Sequence, residues 1–292
     1  MRHILIIGCG NIGERVARIW TDLGANVSAL VRDRSRAAYL RDKGITTIIG
    51  DLDNPDTLMD LPVHDAVIYY FAPPPDGGAD DPRMHAFMEY VGHVWHPLQI
   101  IYTSTTGVYG DCDGAWVTEQ SPVNPQNQRS KRRVAAENIL RKWHDATTIP
   151  VVILRVAGIY GPGRLPVDRI RSGQAVLDEI DAPYSNRIHS EDLARICIVA
   201  AEYTVPGYHI FNVSDGHPTT MTDYYNRVAA DAGLTPPRTI SMEQAMREFS
   251  PMRLSFLTES KRIDNHRMLS ELGITLLFPD LETGLKQCLT DQ

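Results

Sequence analysis

The first residues whose spacing implies chemistry are Gly8, Gly10 and Gly13. A Gly-x-Gly-x-x-Gly run that follows an apolar strand and opens a helix lets the backbone turn tightly and approach a ligand closely. The helix start, around Asn11 and Ile12, then offers unpaired amide hydrogens to a pyrophosphate. The end of the next strand decides which dinucleotide fits. There the chain reads Val31-Arg32-Asp33-Arg34-Ser35-Arg36. A guanidinium such as Arg32 suits a 2′-phosphate through forked, charge-assisted hydrogen bonds. Asp33 could instead serve the ribose 2′-hydroxyl. NADP is therefore the expected cofactor, with NAD as the alternative.

Other clusters point away from chemistry. The densest basic run, Arg129 to Arg133, sits in a chain of net charge -7. Phosphate neutralisation along a nucleic acid needs more clustered cations than that, so the run reads as a local anion site or a solvated helix face. His93 and His96 stand three apart, but Pro97 follows and no carboxylate completes a ligand set, so no metal is expected. The four cysteines are far apart and form no CxxC pair, which excludes a zinc ribbon or redox dithiol. The start of the chain has too short an apolar run for a secretory signal, and no stretch approaches the roughly 18 apolar residues of a membrane span. A cytoplasmic protein is the expectation.

These residues need a scaffold, and the hydrophobic pattern supplies one. Residues 3–8, "HILIIG", read as a strand buried on both faces. Val16, Ala17, Ile19, Trp20 and Leu23 then recur at helical spacing before Gly24. "ANVSALVRD" is a second strand, and "ITTIIGDL" a third that runs into Asp51 and Leu52. "DAVIYYFA" is a fourth ending at Ala72. These strand ends border a bound cofactor in such a sheet. The segment 73–83, "PPPDGGADDPR", reads as a flexible loop skirting it. The alternation predicts an α/β protein with a doubly wound parallel sheet. Near the C-terminal end, "MTDYYNRVAADAGL" predicts a helix capped by Thr222 or Asp223.

From "IIYTSTTGVYGD" (100–111) onward the chain resembles the extended short-chain dehydrogenase/reductases, the group of nucleotide-sugar epimerases and dehydratases. "LRVAGIYGPGR" (154–164), "NRIHSEDLARICIVAAE" (186–202) and "IFNVSDG" (210–216) follow in that family's order. The resemblance implies a Rossmann domain over 1–157 and 188–214, and a small substrate lobe over 158–187 and 215–292. It also implies a small-molecule substrate and allows a homodimer through a helix pair. In the family a Ser or Thr hydroxyl binds the substrate oxygen, a Tyr moves its proton, and a Lys four residues later lowers the Tyr pKa and holds the nicotinamide ribose. The spacing before Val108-Tyr109-Gly110 puts Thr105 at the hydroxyl position with Ser104 beside it.

The Tyr-x-x-x-Lys pair falls in "NPQNQRSKRRVAAENIL" (124–140), which has no tyrosine. One register puts Asn127 and Lys131 there. The other, aligned on Glu137, puts Arg129 and Arg133 there and keeps the helix phase. Arg133 is then the ribose-side residue and Arg129 a substrate contact. Arginine keeps its proton at any ordinary pH, its pKa lying above about 12, so it can clamp an anion but is a poor acid and no base. A positioned acid/base is worth roughly 10²- to 10⁴-fold, so the loss is large. Tyr109 is the replacement with most in its favour, with His189 and Tyr160 behind it. Arg164 and Arg187 fall where the family approaches its nucleotide-sugar diphosphate. The reading that follows is an NAD(P)-dependent oxidoreductase, epimerase-like, acting on a carbonyl, alcohol or nucleotide-sugar-like compound. The alternative is an NAD(P)-binding sensor or scaffold without turnover.

Overall fold

The structure is a computed structural model that describes residues 1–93 and 96–290. Seven strands form its main sheet: β1 (His3–Ile7), β2 (Asn26–Val31), β3 (Thr46–Ile49), β4 (Ala66–Tyr70), β5 (Gln99–Thr105), β6 (Val151–Val156) and β7 (Tyr208–Val213). Their order is β7-β6-β5-β4-β1-β2-β3. β1 pairs in parallel with β2 and β4, β2 with β3, and β4 with β5. Every residue of β4 is buried, as are all but the first of β1 and β2. That is why these strands read as continuous apolar runs. The strand order reverses beside β1, and ligands bind such sheets beyond the carboxyl ends at that reversal.

The helices that matter for the site are α1 (Asn11–Asp22), α2 (Arg34–Arg41), α3 (Pro82–His93), α4 (Gln128–Thr147) and α5 (Ser190–Glu202). α1 buries Val16, Ala17 and Trp20 as its spacing predicts, but Leu23 is 62% exposed. Leu23 is the C-cap, and Gly24 at φ +76° turns the chain before the apolar stripe is complete. Arg83, expected in the loop, belongs to the first turn of α3.

The chain divides into two compact units. The first comprises Met1–Val108, Gln128–Arg155 and Leu193–Phe211, with a core running from Leu5 and Ile7 through Ile68, Phe87 and Tyr102 to Ile153. The second takes 109–127, 156–192 and the chain from 212 onward. Its strands are short: Gly158–Tyr160 pairs in parallel with Arg187–His189, and Val176–Leu177 with Thr239–Ile240. They pack with α6 (Met221–Asp231) and α7 (Leu281–Thr290) around Tyr160, Val228 and Leu285. The cap of α6 is Thr220, whose hydroxyl accepts the Asp223 amide at 2.9 Å, not Thr222 or Asp223. Thr222 is buried and donates to the Leu177 carbonyl at 2.7 Å, a tertiary bond that overrides its local capping preference.

Among the described residues no helix is long and apolar enough to cross a membrane, and no group of three His, Cys, Asp or Glu side chains could hold a metal. The pair His93 and His96 lies partly outside what is described.

Candidate functional site

The first unit holds a cleft of about 400 Å³ at the carboxyl ends of β1 to β4. Gly8 sits at φ +93°, and a Cβ there would stand 2.6 Å from the Ala72 amide nitrogen. A Cβ at Gly13 would stand 2.8 Å from the Gly8 carbonyl oxygen. Both glycines are thus required by close backbone approach. Gly10 differs, since a Cβ there would meet no protein atom within 4 Å. Gly10 is also the N-cap of α1, and no side chain caps that end. The first-turn amide hydrogens from Asn11 onward thus lack a side-chain cap at the positive end of the helix, an arrangement that fits a diphosphate.

Arg32, Asp51, Leu52, Ala72 and Arg83 line the same cleft. Asp51 Oδ1 accepts the Asp53 amide at 3.0 Å, which shapes the loop after β3. Asp33 is committed to α2: its Oδ1 accepts the Ser35 hydroxyl and, at 2.8 Å, the Arg36 amide. Those bonds hold its carboxyl below the usual range. Arg36 is drawn inward, donating to the Cys9 carbonyl at 3.0 Å and to Glu14 at 2.7 Å. Arg32 is the exposed guanidinium left on the cleft wall. Arg36 and Arg83 had escaped a specific role in the sequence because nothing local marks their partners.

At the end of β5 the hydroxyls divide. Ser104 is buried and donates to Glu137 Oε1 at 2.5 Å. The same carboxylate takes Arg155 through Nε at 3.2 Å and Nη2 at 2.7 Å. Thr105 is half-buried, and its Oγ1 accepts the Gly107 amide at 3.1 Å, which leaves its O–H to donate. Gly107 lets α4 come close, for a Cβ there would lie 2.8 Å from Ser130 Oγ.

The phase of α4 settles which of its cations faces the sheet. Lys131 and Arg129 are exposed, whereas Arg133 donates to the Tyr102 hydroxyl at 3.1 Å and the Thr103 carbonyl at 2.9 Å. Burial pushes the Tyr102 phenol up to about 12 even beside that cation. Arg132 is buried and donates to the Gly78 carbonyl at 2.9 Å, tying down the loop before α3.

In the second unit, Tyr109 is 1% exposed and donates its hydroxyl to Asn212 Oδ1 at 2.7 Å. His189 is fully buried, 3.6 Å from Cys288 Sγ, with its ring tilted against Phe278 at a centroid distance of 4.0 Å, and its Nδ1 accepts the Glu191 amide. Tyr160 donates to the Asp280 carbonyl. Arg187 is buried in the wall of a pocket of about 640 Å³. Its Nε has no hydrogen-bond partner, and its guanidinium lies over the Tyr224 ring at 4.2 Å. Burial lowers its pKa. Arg164, Arg169 and Arg253 line the same pocket, and among the described residues no acidic side chain does. Four cations in a lining with no acidic side chain, walled by Leu165, Val176 and Phe249, suit an anion with an apolar body. Arg169 and Arg253 are additions that the sequence did not mark, because they lie on short helices with no motif.

Residues 4–214 match the model of the NAD dependent epimerase/dehydratase family. Protein YeeZ of Escherichia coli K12 is 29% identical over 293 residues, covering 96% of this chain and 97% of its own. A functionally unknown conserved protein from Silicibacter pomeroyi has the same fold at TM-score 0.84 and 29% identity, over 100% of this chain and 99% of that one. The UDP-glucose 4-epimerase of Bifidobacterium longum, solved with NAD+ and UDP, shares the fold at TM-score 0.77 and 18% identity, over 99% of this chain and 98% of that one.

Proposed function

Because the chain belongs to the NAD dependent epimerase/dehydratase family, we propose that it is an oxidoreductase using NADP, with NAD as the weaker ligand. Its substrate in this reading is an anionic carbonyl or alcohol compound, a nucleotide sugar being one form. The observation that carries it is the uncapped start of α1 behind Gly8 and Gly13. A bound nicotinamide would supply or accept hydride. Within the first unit Thr105 is the hydroxyl suited to a substrate oxygen, and within the second unit the pocket that holds Arg164 and Arg187 suits an anion. Arg133 supports β5 through the Thr103 carbonyl and, in the register aligned on Glu137, takes the place of the family's lysine. Arg129 is exposed and suits a substrate anion better than a proton.

A second reading, a dinucleotide sensor without turnover, draws support from Tyr109. Its hydroxyl is buried and already given to Asn212, so acid/base work would require that bond to break. Turnover decides between the two. With saturating NADPH, carbonyl compounds bearing a carboxylate or phosphate are expected to change the cofactor absorbance. Thr105→Ala is expected to lower kcat by about 100-fold while leaving cofactor affinity unchanged. Activity that survives the substitution would remove Thr105 from the reaction.

The cofactor choice has its own test. Loss of Arg32 removes the charged donor that a 2′-phosphate would use, so Arg32→Ala is expected to weaken NADPH by roughly 10- to 100-fold and NADH by less than about twofold. Equal losses for the two nucleotides, read by fluorescence titration, would reverse the assignment.

A further inference from the structure

We propose that Arg83 is a positioning residue for the cofactor, latching together two walls of the dinucleotide cleft. The inference rests on the cofactor reading above and goes beyond it by assigning a role to a residue that touches no family motif. The local sequence is Asp81-Pro82-Arg83. Asp81 is fully buried and its Oδ1 accepts the Met84 amide at 3.1 Å, so it caps α3. Pro82 takes the first helical position, where its missing N–H costs nothing. Arg83 is thereby placed in the first turn, where a cation meets the positive end of the helix dipole. Its compensation comes from outside the helix.

That compensation joins two segments of the cleft. Nε and Nη2 of Arg83 fork onto Asp53 Oδ1 and Oδ2 at 2.7 and 2.5 Å, and Nη1 donates to the Pro73 carbonyl at 3.0 Å. Asp53 follows Asp51 and Leu52 on one wall, and Pro73 follows Ala72 on the other. The Arg83 side chain is 15% exposed against 47% for Asp53. The guanidinium is therefore set among the cleft walls rather than waving in solvent. The forked bond raises the Arg83 pKa and lowers that of Asp53, as expected of a formed pair. Three of its five donors are committed and its charge is matched by Asp53, so Arg83 is poorly placed to serve a phosphate. It differs in this from Arg32 on the same cleft. Arg132, through Gly78, fastens the same loop at a further point.

Calorimetry with NADPH, NADH and ADP-ribose tests the latch on the full chain. Arg83→Ala is expected to weaken all three by about tenfold and alike, since the walls serve the adenosine half common to them. Asp53→Ala is expected to match it, and the double variant to be no worse than either single one. Arg83→Lys is expected to restore little, because an ammonium cannot span the fork. The melting temperature without ligand should move by less than about 2 °C, while the ligand-induced rise shrinks. Unchanged affinity in Arg83→Ala with a wild type that binds would overturn the latch alone. A loss confined to NADPH, or additive losses in the double variant, would do the same by making Arg83 a direct phosphate ligand or an independent contact. A wild type that binds none of the three would remove the cofactor reading and the latch with it.

Discussion

Replacing Gly10 by aspartate is expected to leave the fold intact and to abolish dinucleotide binding. Gly10 has a negative φ of −86°, and a Cβ there meets no protein atom within 4 Å. Aspartate is also among the best N-cap residues, and its charge favours the positive helix end, so stability should hold or rise by up to about 1 kcal/mol. The same carboxylate would accept the first-turn amide hydrogens that a diphosphate needs, and would repel the phosphates directly. Like charges brought together at a binding site cost several kcal/mol, so at least a roughly 100-fold loss is expected. Gly8→Ala should behave in the opposite way. Its Cβ would press on the Ala72 amide at a positive φ, which costs stability first. Thermal denaturation and calorimetry on the two variants separate the effects. Binding by Gly10→Asp within a few-fold of wild type would place the phosphates somewhere other than the start of α1.

What could be read from the sequence was whatever short-range pattern governs. The glycine turn, the buried strands and the stop at Gly24 all lie within a few residues of the features that dictate them. Hence Gly8, Gly10, Arg32, Asp51, Leu52 and Ala72, singled out in the sequence, line one cleft, while Leu23 at the end of the apolar stripe is exposed. Thr222 was misread for a physical reason: its hydroxyl found the Leu177 carbonyl, 45 residues away, and left capping to Thr220. Arg83 had a faint signal, a cation in a first helical turn, but its carboxylate partner lies 30 residues back. The pocket around Arg187 could be named only in part, because Arg169, Arg253 and Tyr224 are gathered there by tertiary packing. Which of Ser104 and Thr105 faces the core was likewise set by a distant partner, Glu137, 33 residues on. Adjacent residues on a strand point to opposite faces, so one hydroxyl faces the core and only the other is left for a ligand.

That division predicts a large stability effect. Glu137 is the buried acceptor for Ser104 and for both arms of Arg155, with side chains of Glu137 and Arg155 only 6% and 5% exposed. A buried ion pair adds little net stability over an apolar pair of the same shape, because two charges must leave water. Breaking it is another matter, since the surviving charge stays buried without its carboxylate. Glu137→Ala is therefore expected to destabilise the protein by about 3–5 kcal/mol, a fall in melting temperature of roughly 6–20 °C for a protein of this size. Glu137→Gln keeps acceptor and shape but loses charge, and should fall between that variant and wild type. Replacing both members, as Glu137→Leu with Arg155→Met, should recover much of the loss, by the same desolvation argument. The functional consequence follows from position: Ser104 precedes Thr105 on β5, so releasing Ser104 loosens the strand end that aims the Thr105 hydroxyl. In Glu137→Gln, turnover at a temperature where the protein is fully folded should drop more than dinucleotide affinity, because the glycine cradle lies on β1 and α1. Equal stability of Glu137→Ala and wild type in denaturant titration would mean that Arg155 is compensated elsewhere, and that this buried carboxylate does not hold the end of β5.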